Sequence, residues 1–202
     1  MTIEGVLRRQ AGVVSRAQAL TEGMSSATIS RRLARGLWVR LLPRVYLAAG
    51  HALTAEARLR ASYLWAGLGA TVCGAAAAWW HGLCAEAPTW VEITIPHHRR
   101  LPAQPGIQAH RRDLQSADRV EVNGLWVTAV PLTVLDAAVA LGTTGSHLMD
   151  RALQHRFTVT DLYAAHYRNL GRRGSADAAE LLRAASDRAA SGGGAAAGRV
   201  AG

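Results

Sequence analysis

Over the first fifty positions apolar residues come in short bursts, first at helical and then at strand spacing, punctuated by glycine and serine. A first helix is predicted over residues 2–10, ending at Ala11-Gly12, where Gly12 suits a C-terminal cap. Ser15-Arg16-Ala17-Gln18 reads as a capping box, so a second helix starts near Arg16 and stops at Gly23 after barely two turns. Ser25 or Ser26 then restarts the chain as a new N-cap, which is helix-turn-helix spacing. On the third helix, taken at about 100° per residue, Ile29 and Leu33 share one face; Ala27, Thr28, Arg31 and Arg35 cluster on the other, with Arg32 on the flank. Gly36 closes it. Residues 37–40 and 45–47 read as two short strands joined by a tight turn through Leu41-Leu42-Pro43-Arg44, a wing with Trp38 and Tyr46 as core anchors.

Beyond the wing, Thr54 caps a helix running to about Ala66, and residues 74–81 suggest another. Residues 90–96 alternate, with Val91, Ile93 and Ile95 opposite Glu92 and Thr94, predicting a half-buried strand whose pattern Ile107 and Ala109 repeat. Asn123-Gly124, between Val120/Val122 and Leu125/Val127, is the preferred pair for a type I′ hairpin turn. Pro131 fits the first position of a helix running to Leu141, and further helices are expected at about 146–156, 159–169 and 175–189, with Thr158 capping the middle one. The fold class is α+β: an N-terminal winged helix-turn-helix over 1–50, a mixed domain over 51–190 with a small antiparallel sheet covered by helices, and a disordered Gly/Ala tail over 191–202.

Charge sharpens the picture. All 23 basic residues are arginines, and residues 1–60 hold ten of them against three acids, while 61–145 hold five against six. The net charge of +9 is mostly N-terminal, and a focused positive field attracts phosphate backbone whatever the base sequence. An Ala-rich, Lys-free composition is also what a GC-rich genome yields, so the argument rests on where the arginines fall. Double-stranded DNA is the expected partner. Ser26, Ala27 and Thr28 at the start of the third helix, Arg31, Arg32 and Arg35 along it, and Arg40 and Arg44 in the wing are the expected contacts. Arg31 suits a guanine edge; Arg32 and Arg35 suit phosphates. A second basic cluster, Arg99-Arg100 and Arg111-Arg112 with His97, His98 and His110, extends that footprint, meets an acidic partner, or is a solvated loop.

Other functions lose ground on inspection. Cys73 and Cys84 lie in an apolar stretch without a C-x-x-C, which fits a reducing cytosol, and no signal peptide is visible in the first twenty residues. The uncharged run 61–85 is built from Ala and Gly and broken at Gly67-Leu68-Gly69, so it reads as two buried helices and not a membrane span. With no lysine and with acids scattered singly, a metal-dependent nuclease centre is not expected, and neither a P-loop nor a nucleophile elbow is present. His81 and Cys84 share a helix face, where an apolar helix end explains them without a metal. No catalytic residues, metal or cofactor are expected.

Several runs together carry a family resemblance. They are Gly12-Val13-Val14-Ser15-Arg16, Gly23-Met24-Ser25, residues 31–40, Pro43-Arg44-Val45-Tyr46-Leu47, residues 53–61, Ala77-Ala78-Trp79-Trp80-His81-Gly82-Leu83 and residues 128–138. The chain resembles the AbiEi-like antitoxins of type IV toxin–antitoxin systems, in their actinobacterial branch, over about residues 3–190. The resemblance implies a cytoplasmic transcriptional regulator that represses its own operon, and a second domain that counteracts a nucleotidyltransferase-like toxin. Relatives usually carry Ser-His-x-Ser-Ala-Ala where this chain has Cys73-Gly74-Ala75-Ala76-Ala77-Ala78, and often an Arg-Thr pair before the Leu-Asp that is Leu135-Asp136 here. A packing role is therefore expected for His81 and Asp136. Many relatives continue into a nuclease domain similar to very-short-patch-repair endonucleases, and a chain without it is expected here. Two rival readings are a DNA-targeting remnant of a repair or restriction enzyme and a transcription factor whose second domain senses a small molecule.

Overall fold

The computed structural model describes residues 2–155 and 157–197. In chain order the elements are α1 (Ile3–Arg9), β1 (Val13–Ser15), α2 (Arg16–Thr21), α3 (Ser26–Ala34), β2 (Trp38–Leu42), β3 (Val45–Ala48) and α4 (Ala55–Ala66). There follow β4 (Thr71–Val72), α5 (Gly74–Trp80), β5 (Val91–Ile95), β6 (Ile107–Arg111), a 3-10 turn (Ser116–Asp118), β7 (Arg119–Val122) and β8 (Leu125–Thr128). Four helices complete the chain: α6 (Val130–Leu141), α7 (Thr143–His155), α8 (Val159–Arg168) and α9 (Ser175–Ala197). Contacts group Met1–Thr71 with Thr89–Arg111 in one unit and Val72–Pro88 with Arg112–Gly202 in a second. Residues 51–190, expected as one domain, thus supply segments to both units.

In the first unit three strands form an antiparallel sheet in the order β1-β3-β2, with Val14 opposite Tyr46 and Trp38 opposite Ala48. One face carries Trp38, Tyr46 and Ala48 against Val6, Leu7, Ala19 and Ile29 of α1 to α3. The other carries Val13, Val45 and Leu47 against Ala57 and Ala61 of α4. Because α4 covers the back of this three-stranded sheet, the chain does not leave this unit at residue 50. Leu41 is the extra residue of a bulge between Arg40 and Leu42, so Leu41 and Leu42 both pack on the α4 side and the turn shrinks to Pro43-Arg44. Gly12 sits at φ +80, and a Cβ there would collide with the His51 ring, so no other residue fits between α1 and β1.

Strands β5 and β6 of this unit pair in parallel, Val91 with Ile107 through Ile95 with Arg111. Every residue of β5 is buried, Glu92 and Thr94 included, so the strand expected to be half-buried is covered on both faces, as parallel strands usually are.

The second unit is organised around α6, an apolar helix whose Leu132, Val134, Leu135, Ala137 and Ala138 are all buried. A helix hydrophobic all round must be surrounded, and α5, α7, α8 and α9 pack on it. Its strands are mixed: Val72 of β4 pairs in parallel with Val127, while β7 and β8 form the expected hairpin, Asn123 and Gly124 both at positive φ. Helix α9 runs to Ala197, so residues 191–197 of the tail expected to be disordered are helical, and residues 198–202 of it lie outside the described residues.

Candidate nucleic-acid interface

Helices α1 to α3 are held by local polar bonds. Ser15 Oγ accepts from the Gln18 amide at 3.1 Å and Gln18 Oε1 accepts from the Ser15 amide at 3.0 Å, the reciprocal box the sequence predicts. Gln18 also exchanges side-chain hydrogen bonds with Gln10 at 2.9 and 3.2 Å, which ties the end of α1 to α2. Of the two serines offered as N-cap for α3, Ser25 takes the role, its Oγ accepting from the Thr28 amide at 3.1 Å.

On α3 itself Ile29 is buried and Leu33 packs against the same core, while Ser26, Ala27 and Arg31 are exposed. Thr28 is half-buried, its Oγ1 3.0 Å from Ser25 Oγ and 3.4 Å from Arg31 Nη2. Arg35 lies one residue beyond the helix as its C-cap, exposed, where a cation complements the negative helix end. The Arg32 guanidinium sits 5.4 Å over the Trp38 ring, a cation–π contact that links α3 to β2 and holds this arginine half-buried. Trp38 and Tyr46 stack at 5.6 Å in the core, as expected. In the wing, Arg40 and Arg44 are exposed, and Arg44 has φ +65, which holds the two-residue turn tight and strains any side chain other than glycine.

One residue the sequence reading left out of the site joins its parts. Arg16, first residue of α2, donates its backbone N–H to the Arg44 carbonyl at 2.7 Å and its Nη2 to Ser26 Oγ at 2.7 Å. The wing turn, the start of α2 and the start of α3 therefore meet at one edge of the unit. Only the capping box pointed to this position, because the box fixes where α2 begins.

The second basic cluster disperses. Arg99 turns inward to the end of α4, Nη2 donating to the Ala66 carbonyl at 2.7 Å and Nη1 to that of Leu68. Arg112 pairs with Asp136 at 2.8 Å, most of its side chain buried. Arg100, Arg111, His97 and His98 are exposed. Neither solvated loop nor extended footprint describes Arg99 and Arg112, whose charges serve the fold.

Asp136 has more than the packing role expected of it. Its carboxylate takes Arg112 on Oδ2 and Arg172 on Oδ1, at 2.8 and 2.7 Å. Burial pulls both guanidinium pKa values down; Asp136 reverses the direction for Arg112, while Arg172 stays lowered. Both remain cations at neutral pH. His81 Nε2 donates to the Thr128 carbonyl at 2.8 Å, and burial holds this imidazole below its ordinary value. Burial pushes the Cys84 thiol up. Among the described residues no group of three or more His, Cys, Asp or Glu is placed to hold a metal ion, and no helix is long and apolar enough to cross a membrane.

No curated protein is similar enough in sequence to count as a match. The fold is similar to that of the RV2827C protein from Mycobacterium tuberculosis, with a TM-score of 0.61 and 19% sequence identity, over 90% of this chain and 75% of that one. Residues 2–49, the segment that carries α1 to α3 and the wing, match the family described as a transcriptional regulator, AbiEi antitoxin.

Proposed function

We propose that this chain is a transcriptional regulator that binds double-stranded DNA through α3 and the wing. It enters the major groove with Ala27, Thr28 and Arg31, and holds phosphates with Arg16, Arg35, Arg40 and Arg44. The observation that carries the reading is the exposure of Arg31, Arg35, Arg40 and Arg44 on a helix and hairpin braced by a three-stranded sheet, in the segment similar to a regulator family. A rigid helix with small residues at its start and arginines along one side matches groove depth and phosphate spacing. Ser26 and Arg32 act by positioning: Ser26 holds Arg16, and Arg32 clamps α3 to Trp38.

The finer reading is that of an antitoxin in the cytoplasm that represses its own operon and counteracts a nucleotidyltransferase-like toxin. The similarity of residues 2–49 supports its regulatory half. Selection of bound fragments from genomic DNA tests it directly. Recovery of the promoter upstream of this gene is the expected result, and recovery of fragments without any common sequence would sink it.

A further inference from the structure

The second unit buries a guanidinium edge that no group among the described residues uses. Arg172 follows α8 in the turn leading to α9, and its side chain is only 9% exposed. Its Nη1 donates to Asp136 Oδ1 at 2.7 Å, whereas its Nε and Nη2 are buried and have no hydrogen-bond partner. Those two nitrogens are neighbours on one side of the guanidinium and present two parallel N–H bonds, the spacing that a carboxylate or phosphate group accepts side-on.

Charge points the same way. Arg112 takes Asp136 with its other edge, Nη2 to Oδ2 at 2.8 Å and Nη1 to Oδ1 at 3.5 Å, so two arginines share one carboxylate. The nearby Asp118 is already engaged by Arg168 at 2.7 Å and by Asn169 at 2.8 Å. Around Asp136 two largely buried guanidinium groups share one carboxylate, and Asp136, Arg112, Cys73 and Asp118 all act on Arg172. His166 is buried, its Nδ1 also lacks a partner, and it lies close enough to feel the Arg172 charge. A buried charged donor left unmatched is costly, and native interiors rarely keep two on one side chain. A water molecule would satisfy the hydrogen bonds but not the charge.

We propose that the second unit holds a small-oxyanion site, in which a carboxylate or phosphate group is taken side-on by Nε and Nη2 of Arg172. The anion completes the charge balance around Asp136 and locks the turn between α8 and α9. Bound there, it stabilises the folded unit in proportion to its concentration.

The test follows the Arg172 Nε–H signal by nitrogen–proton NMR, assigned through its own Cδ in the intact wild-type chain. Inorganic phosphate, acetate and, at matched ionic strength, chloride are added in separate titrations. Saturable movement with phosphate alone identifies a phosphate site, movement with acetate alone a carboxylate site, and movement with both a general oxyanion site. No movement with either, or equal movement with chloride, overturns the proposal and leaves water as the partner. In parallel, at tenfold excess over Kd the effective anion raises Tm by about 3–6 °C. Arg172→Lys keeps the charge for Asp136 but lacks the side-on edge, so the rise disappears in it. The rise persists in Arg31→Ala/Arg35→Ala, and its loss there would assign the effect to the DNA-binding surface instead.

Discussion

Arginine does opposite work in the two units. On α3 and the wing, Arg31, Arg35, Arg40 and Arg44 stand in solvent on a scaffold whose stability comes from Trp38, Tyr46 and Ile29 beneath them. In the second unit Arg112 and Arg172 lie inside, each committed to Asp136. Exposed guanidinium groups remain hydrated and can be exchanged cheaply for phosphate, with release of counterions; buried ones have lost water and depend on a fixed carboxylate. The net charge of a chain therefore says little about its partners until each arginine is placed.

Breaking the buried side of that contrast has the largest expected effect. Asp136→Ala leaves Arg112 and Arg172 facing each other without their shared counter-charge, and the expected destabilisation is about 3–5 kcal/mol. Urea denaturation of the variant measures it; a midpoint equal to that of the wild type would mean that the two arginines find other partners. On the exposed side, Arg31→Ala should leave stability within about 0.5 kcal/mol. It should instead erase about 1–3 kcal/mol of preference for operator over random duplex. Arg35→Ala should weaken binding to every duplex alike and lower the dependence on log salt by about one unit. Fluorescence anisotropy across a salt series separates the two, and identical profiles for both variants would remove Arg31 from base reading.

A smaller effect probes the scaffold that keeps the first unit's arginines outside. Ser15→Ala deletes the acceptor for the Gln18 amide at the start of α2, with an expected cost of about 1 kcal/mol. Arg16 begins that helix and bridges to Ser26 and Arg44, so DNA affinity should fall along with stability. Parallel anisotropy and denaturation curves check this, and a stability loss without any affinity loss would show that Arg16 does not position the site.

Local chemistry made the first unit legible. The Ser15–Gln18 box, the Ser25 cap and the Gly36 stop each act within a few residues, and they place α2, α3 and the wing within a residue or two. The same holds for the Asn123-Gly124 turn and for Thr158, which caps α8 in a reciprocal box with Asp161. Strands too short for alternation escaped: Val13–Ser15 has three residues and Thr71–Val72 two, so their pairing partners alone define them. The parallel pairing of β5 with β6 was equally hidden, because a connection without a helix is unusual between parallel strands. Long-range charge pairing was invisible altogether. Asp136 meets Arg112 from 24 positions away, and Arg168 meets Asp118 from 50. No local pattern distinguishes such arginines from the ones on α3.

The smallest expected effect concerns a half-buried imidazole and sharpens the contrast from another direction, since it adds charge at the edge of the second unit's interior. His81 is held neutral: burial lowers its pKa, and its Nε2–H donates to the Thr128 carbonyl, a bond that partly offsets the lowering. The unfolded chain takes up a proton at an ordinary imidazole value of about 6.5, while the folded chain resists it until lower pH. The unfolded state thus binds more protons as pH falls through that value, and stability declines from about pH 7 toward about pH 5. His166, also lowered chiefly by burial and then by Arg172, contributes in the same direction. His81→Gln keeps a side-chain N–H donor for Thr128 but cannot titrate, so its urea midpoint should vary less with pH across that window, with a residual slope from His166. If the variant and the wild type lose stability in parallel, His81 already titrates as it does in the unfolded chain, and its burial does not govern its protonation.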